Sequence, residues 1–241
     1  MTSLLCFWGC VTNIISTYIF TKNSPKYYDK LISYRNKLSE TKSDNLNEFK
    51  EFTDNSEAKE QDSFLYILKQ QNSDLIGWLS IEDTNIDYPV VKTNNNDYYL
   101  NHDFWNKYSL CGTPFMDFEN NISSYNMVIY GHNMKNGTMF SELKKFKDTN
   151  FYTKNSIIIF KTQKEIRDYK LVSILLIDTS NFDLSSFTSI STKEDKEDFL
   201  KVITTQSIIS INKPVSINDS FITLCTCDTN NTRLFVIAKK I

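Results

Sequence analysis

The chain is poor in the groups that carry most acid–base and metal chemistry. Only two histidines occur in 241 residues, so an imidazole acid or base must be His102 or His132. The five cysteines (Cys6, Cys10, Cys111, Cys225 and Cys227) include no Cys-x-x-Cys pair, and zinc ligands usually come in such local pairs. A zinc site built from Cys225, Cys227, Cys111 and His132 is therefore disfavoured, and neither a metal nor a cofactor is expected. An odd, sparse cysteine set is no disulfide framework either. The 27 Lys and Arg are interspersed with 29 Asp and Glu. No basic stripe with interleaved aromatics stands out, which argues against a nucleic-acid partner. No internal repeat is present.

Residues 4–20 are largely apolar and carry no charge. As a helix, such a run would reach about 25 Å, slightly less than a hydrocarbon core of about 30 Å. The reading is a membrane signal-anchor over residues 1–22. Its flanking lysines, Lys22 and Lys26, follow the run instead of preceding it, which by the positive-inside rule is the wrong side for an external domain. Residues 26–38 carry Tyr27, Leu31, Tyr34 and Leu38 at helical spacing behind Pro25. Residues 39–60 are polar and nearly without apolar anchors. Residues 23–60 thus read as a helical and polar linker, and 61–241 as one domain. A domain of that size buries roughly 70% of its unfolded surface.

Phe64, Leu65, Ile67 and Leu68 predict a short helix. From Gly77 the pattern is β, with strands predicted at 77–81, 88–91, 113–117, 126–131, 155–161, 167–178, 221–227 and 233–239. Thr138 to Lys147 predicts a short helix with Phe140, Leu143 and Phe146 on one face. Residues 192–205 predict another, opened by Thr192 with Glu194 and Asp195. Many short strands and few helices predict a closed or partly closed barrel.

The segment Phe221-Ile-Thr-Leu-Cys-Thr-Cys227 is an apolar, β-prone run ending in a cysteine, and Arg233 opens the next such run. That layout puts a thiol and a guanidinium at one rim of a sheet. A free thiol is only about 3% thiolate at neutral pH, so it needs a nearby cation. A guanidinium cannot lose its proton and also stabilises an oxyanion. His132 lies just past the β-prone run 127–130, beyond Gly131, on a strand-end loop where functional side chains gather. His102 sits among aromatic and polar neighbours and reads as structural. Cys225 and Cys227, two apart on a strand, face the same side; Cys227, at the strand end, is the candidate nucleophile.

These residues resemble a known family. Thr223-Leu-Cys-Thr-Cys227 resembles the Thr-Leu-X-Thr-Cys signature of sortases, and Tyr130-Gly-His-Asn133 with Arg233 completes a His-Cys-Arg set. Gly77-Trp-Leu-Ser-Ile81, Ile86-Asp-Tyr-Pro-Val-Val91, Asn96-Asp-Tyr-Tyr-Leu100, Phe115-Met-Asp117 and Tyr130 to Phe140 resemble class B sortases. Two features depart from the pattern: the X is itself a cysteine, and the stretch from Cys227 to Arg233 is short. The resemblance implies an eight-stranded sortase-type β-barrel, mainly β, with N-terminal helices and an added helix in the loop before the cysteine strand. It implies a cysteine transpeptidase whose catalytic residues are His132, Cys227 and Arg233, with Asn96, Leu100, Cys225 and Asp228 lining the peptide groove. Leu100 could instead be core, and Asp228 a turn residue. The implied substrate is a secreted protein with a C-terminal sorting signal of the Asn/Ser/Leu-Pro-x-Thr-Gly/Asn type. The implied acceptor is a peptidoglycan amine. The implied location is outside the cell membrane, held by the N-terminal segment. The competing readings are a hydrolytic cysteine protease, a non-catalytic surface-binding module and a pilin-polymerising sortase; for the last, residues 39–60 show no lid motif.

Overall fold

In the computed structural model, the described residues are 28–29, 31–33, 35, 63–178, 180, 182–209, 214–229 and 231–241. The expected signal-anchor at 1–22 and the polar stretch 39–60 lie outside them. Among the described residues, no helix is long and apolar enough to cross a membrane.

Eight strands close a barrel: β1 (Leu75–Ser80), β2 (Asp87–Val91), β3 (Phe115–Met116), β4 (Asn126–Tyr130), β5 (Ile157–Lys161), β6 (Ile166–Asp178), β7 (Phe221–Cys227) and β8 (Thr232–Lys240). Their order around the barrel is β1-β2-β3-β4-β7-β8-β6-β5. Two neighbouring pairs, β2/β3 and β4/β7, run parallel. Parallel neighbours require long crossovers, and those crossovers carry the helical segments.

The expected strands are all present. β3 shrinks from the expected 113–117 to two residues, because it pairs with Val91 on one side and with Ile129 and Tyr130 on the other over a short contact. The expected helix at 138–147 is a 3-10 helix over Ser141–Lys147. Its buried residues Leu143 and Phe146 and the preceding Phe140 recur every third position, the 3-10 period. Two short helices, Thr149–Lys154 and Ser185–Thr188, were not expected.

β4 is buried at every position, and β7 at all but its last. Strands with a single covered face alternate, so both faces of these two are covered. The inner face meets the barrel core. The outer face is covered by the β6–β7 connection, whose helix Lys193–Thr205 starts on a capping box between Thr192 and Asp195. Phe199 of that helix packs against Phe221 at 5.2 Å and Phe187 at 5.2 Å between ring centroids. Each such buried aromatic contributes about 1.5–3 kcal/mol. Asn126, buried under this layer, is paired: it donates to the Phe187 carbonyl at 3.0 Å and accepts from Thr223 Oγ1 at 2.8 Å.

On the opposite side, the helix Ser63–Gln71 packs on β1, with Phe64 against Trp78 at 5.2 Å. Tyr28 reaches the Gly112 carbonyl at 2.9 Å, and Arg35 forms a forked pair with Asp87. The β4–β7–β8 ribbon is thus buried on β4 and nearly all of β7, and the candidate site lies at the end where β7 stops.

Candidate active site

Cys227 is the last residue of β7 and is exposed, in contrast to the buried run before it. Antiparallel pairing sets Arg233 of β8 opposite it, and Arg233 Nη1 lies 3.8 Å from Cys227 Sγ. The short β7–β8 turn therefore still brings the guanidinium to the sulfur. It is closed by the Asp228 N–H donating to the Thr232 carbonyl at 2.9 Å.

His132 arrives from the other neighbour. β4 and β7 are parallel, with Tyr130 in register with Cys225. Extending both strands by two residues sets His132 beside Cys227. Two hydrogen bonds hold that extension together. Thr226 Oγ1 donates to the Gly131 carbonyl at 2.7 Å, and Asn133 Nδ2 donates to the Cys227 carbonyl at 2.7 Å. The half-buried His132 ring donates from Nε2 to the Leu100 carbonyl at 2.8 Å. A carbonyl only accepts, so Nε2 carries a proton and Nδ1 decides the charge of the ring.

This trio can do acyl-transfer chemistry: a sulfur, a cation against it, and an imidazole on the segment that follows the adjoining strand. His102 stands apart. Its Nδ1 donates to the Tyr98 carbonyl at 2.7 Å and its ring stacks on Tyr98 at 4.1 Å.

Cys225 lies one pleat below Cys227 and is fully buried. Burial pushes its thiol up to about 12, opposed by the Arg233 charge. It stays a thiol at neutral pH and lines the floor beneath the guanidinium. Leu100 is 40% exposed, which removes the alternative that it is core. Asn96 donates from Nδ2 to Asp117 at 2.9 Å, and its Oδ1 accepts the Phe118 N–H. Asp228 is held from the 3-10 helix: Lys147 Nζ reaches its carboxylate at 2.6 Å and Lys144 Nζ its carbonyl at 3.1 Å. Among the described residues no cluster of three or more His, Cys, Asp or Glu could hold a metal. Asn133 and Thr226, which lock the two strands together, had no assigned role in the sequence reading. Both lie inside the motifs quoted above, but their partners are carbonyls and so have no sequence signature.

Residues 79–241 match the Sortase domain family. The chain belongs to the sortase family. Sortases are cysteine transpeptidases. Over 164 residues this sortase is 37% identical to sortase B of Listeria monocytogenes, covering 67% of this chain and 66% of that protein. Over 179 residues it is 31% identical to sortase B of Staphylococcus aureus, covering 72% of each. Among solved structures, Clostridium perfringens sortase B superposes with a TM-score of 0.69 at 37% identity, covering 73% of this chain and 98% of that one. A Staphylococcus aureus sortase B–substrate complex gives 0.77 at 26% identity, covering 92% and 98%. These relatives place the chain in class B.

Proposed function

We propose that this sortase cleaves a C-terminal sorting signal of the Asn/Ser/Leu-Pro-x-Thr-Gly/Asn type after threonine and transfers the new carboxyl end to a peptidoglycan amine. The observation that carries this reading is the convergence of Cys227, Arg233 and the His132 segment from three adjacent strands, on a chain whose relatives are sortases B. In the first step the Cys227 thiolate attacks the threonine carbonyl carbon. Arg233 holds the developing oxyanion, and His132 as imidazolium gives its proton to the leaving amine. The C–N bond breaks and a thioester remains. In the second step the acceptor amine attacks the thioester carbon, the now neutral His132 takes the amine proton, and the Cys227 thiolate leaves.

Cys227 and His132 approach the scissile bond from one rim, and the exposed Leu100 stands beside them through its carbonyl. Leu100 and Asn96 form one side of the peptide groove, with Cys225 its floor and Asp228 the end beyond the nucleophile. The apolar run at 4–20 anchors the protein in the membrane, with residues 23–60 as a spacer and the catalytic domain (61–241) outside the cell. The test is a protein lacking about the first 25 residues, incubated with quenched Pro-x-Thr peptides with and without an amine. Products are read by mass spectrometry beside Cys227→Ala and Cys225→Ala. Cleavage after threonine that needs Cys227 but not Cys225, with amine-captured product, is expected. Cleavage without capture would point to a hydrolase. No cleavage, or cleavage surviving Cys227→Ala, refutes the proposal.

A further inference from the structure

Asp117 is a carboxylate placed where a carboxylate is costly. It follows β3, is 2% exposed, and no cation pairs with it among the described residues. Its Oδ2 accepts from Tyr130 Oη at 2.7 Å and from Asn96 Nδ2 at 2.9 Å, and its Oδ1 accepts the Glu119 N–H at 2.9 Å. A position that needed only packing would be served by an apolar side chain of similar volume. The two side-chain donors come from separate segments. Tyr130 is the last residue of β4, two positions before His132. Asn96 precedes the 3-10 turn Tyr98–Leu100, and the carbonyl of Leu100 is the acceptor that holds the His132 ring. Burial, and then the Asp117 carboxylate, keep the Tyr130 hydroxyl protonated far above its ordinary range, so it remains a donor.

We infer that Asp117 is a positioning residue of the transpeptidation site. It ties the end of β4, through Tyr130, to the loop carrying Leu100, through Asn96, and so fixes both the backbone that bears His132 and the carbonyl that orients its ring. This rests on the reading of His132 as the acid and base above. Such a tie bears on rate, because a displacement of about 1 Å in a reacting group can cost on the order of 100-fold.

The test is Asp117→Ala. Tyr130 and Asn96 both donate to one carboxylate oxygen, which an amide would keep; alanine offers no acceptor, so the bracket around Tyr130, Asn96 and Glu119 is lost. Histidine-labelled protein is followed by 15N NMR beside the kinetics of sorting-peptide cleavage. In the unaltered protein the two histidines carry opposite protons: Nε2–H for His132 and Nδ1–H for His102. In Asp117→Ala the His132 signals should move toward a mixture of tautomers. Those of His102, whose partner Tyr98 is on its own turn, should stay. kcat should fall by about 10- to 100-fold, and KM should rise by less, because Asn96 and Leu100 also border the peptide groove. Asp117→Glu, which keeps the carboxylate, should recover part of kcat. An unchanged His132 signature in folded Asp117→Ala, or a loss confined to KM, overturns the assignment. If Asp117→Ala does not fold, Tyr130→Phe removes one hydroxyl only. It should show the same signature change with a smaller loss of kcat, and unchanged signals and kcat there overturn the assignment as well. If the unaltered protein cleaves no sorting peptide, the proposed function fails, and the histidine signature then decides Asp117 alone.

Discussion

Gly131→Ala places a methyl group where the barrel has no room for one. A Cβ built on Gly131 would lie 2.6, 2.7 and 3.0 Å from three ring carbons of Phe140. Ordinary carbon contacts are about 3.5–4.0 Å, so the ring or the backbone must give by several tenths of an ångström. Phe140 is wholly buried and cannot swing out to solvent. Overpacking of this kind costs about 1–3 kcal/mol. In a domain of this size that lowers Tm by about 2 to 12 °C. If the backbone yields instead, the strain falls on the bonds that dock this segment on β7. These are the Gly131 N–H to the Cys225 carbonyl at 3.1 Å and Thr226 to the Gly131 carbonyl. His132 is the next residue, so activity should then fall more than stability, on the order of 10- to 100-fold in kcat. The assays are differential scanning calorimetry and peptide-cleavage kinetics on the same preparations. Adding Phe140→Leu should return part of the lost Tm and rate by removing the ring. Wild-type Tm and wild-type rate in Gly131→Ala, or no recovery in the double variant, would refute the reasoning.

Iodoacetamide at neutral pH should alkylate Cys227 and spare Cys225, whose thiol is pushed up to about 12 by burial. Peptide mapping of the modified protein checks this, and modification of Cys225 in the folded state would contradict its burial. Arg233→Lys keeps the charge but loses the planar fork that faces the sulfur, and kcat should fall by about 10- to 1000-fold with the fold intact. A near-native kcat would show that charge alone suffices. Hydrogen bonds from the backbone of Thr192 and Ser191 lower the Asp195 carboxyl from 3.8 to about 2. A depressed acid contributes stability that is full above its unfolded value and is lost as pH falls through the folded one. Denaturant melts should therefore show the helix 193–205 weakening between about pH 4 and pH 2, and an Asp195→Asn variant should lack that part of the slope.

The strands were legible because period and composition were local. Phe221 to Cys227 and Arg233 to Ala238 are apolar and β-prone, and their ends fell within a residue or two of the observed strands. The start of the helix at Lys193 was legible from Thr192 and Asp195, a capping box that needs only neighbouring residues. The helix at Ser141–Lys147 was legible as a short helix, and its 3-10 type was also in the pattern, since Phe140, Leu143 and Phe146 are spaced by three and never by four. Ser185–Thr188 escaped notice because a helix of four residues has no period to detect. The His132, Cys227 and Arg233 set was visible through motif resemblance, yet their adjacency depends on β4 and β7 being parallel neighbours, which no local pattern states. Asp117 was quoted only as part of a motif. Its significance lies in partners 13 and 21 residues away in sequence, which only the folded chain assembles.

The parallel seam between β4 and β7 also bears on when the enzyme becomes reactive. The bond from Asn133 to the Cys227 carbonyl spans 94 residues of chain, and β7 must insert between β4 and β8 before imidazole, sulfur and guanidinium meet. Contacts of such long range form late and slowly. A nascent polypeptide therefore has its histidine early but no neighbouring thiol, and then a thiol with no cation across from it until β8 docks. Catalytic competence is thus a property of the closed barrel alone, and the fold itself delays acyl transfer until the last strand is home.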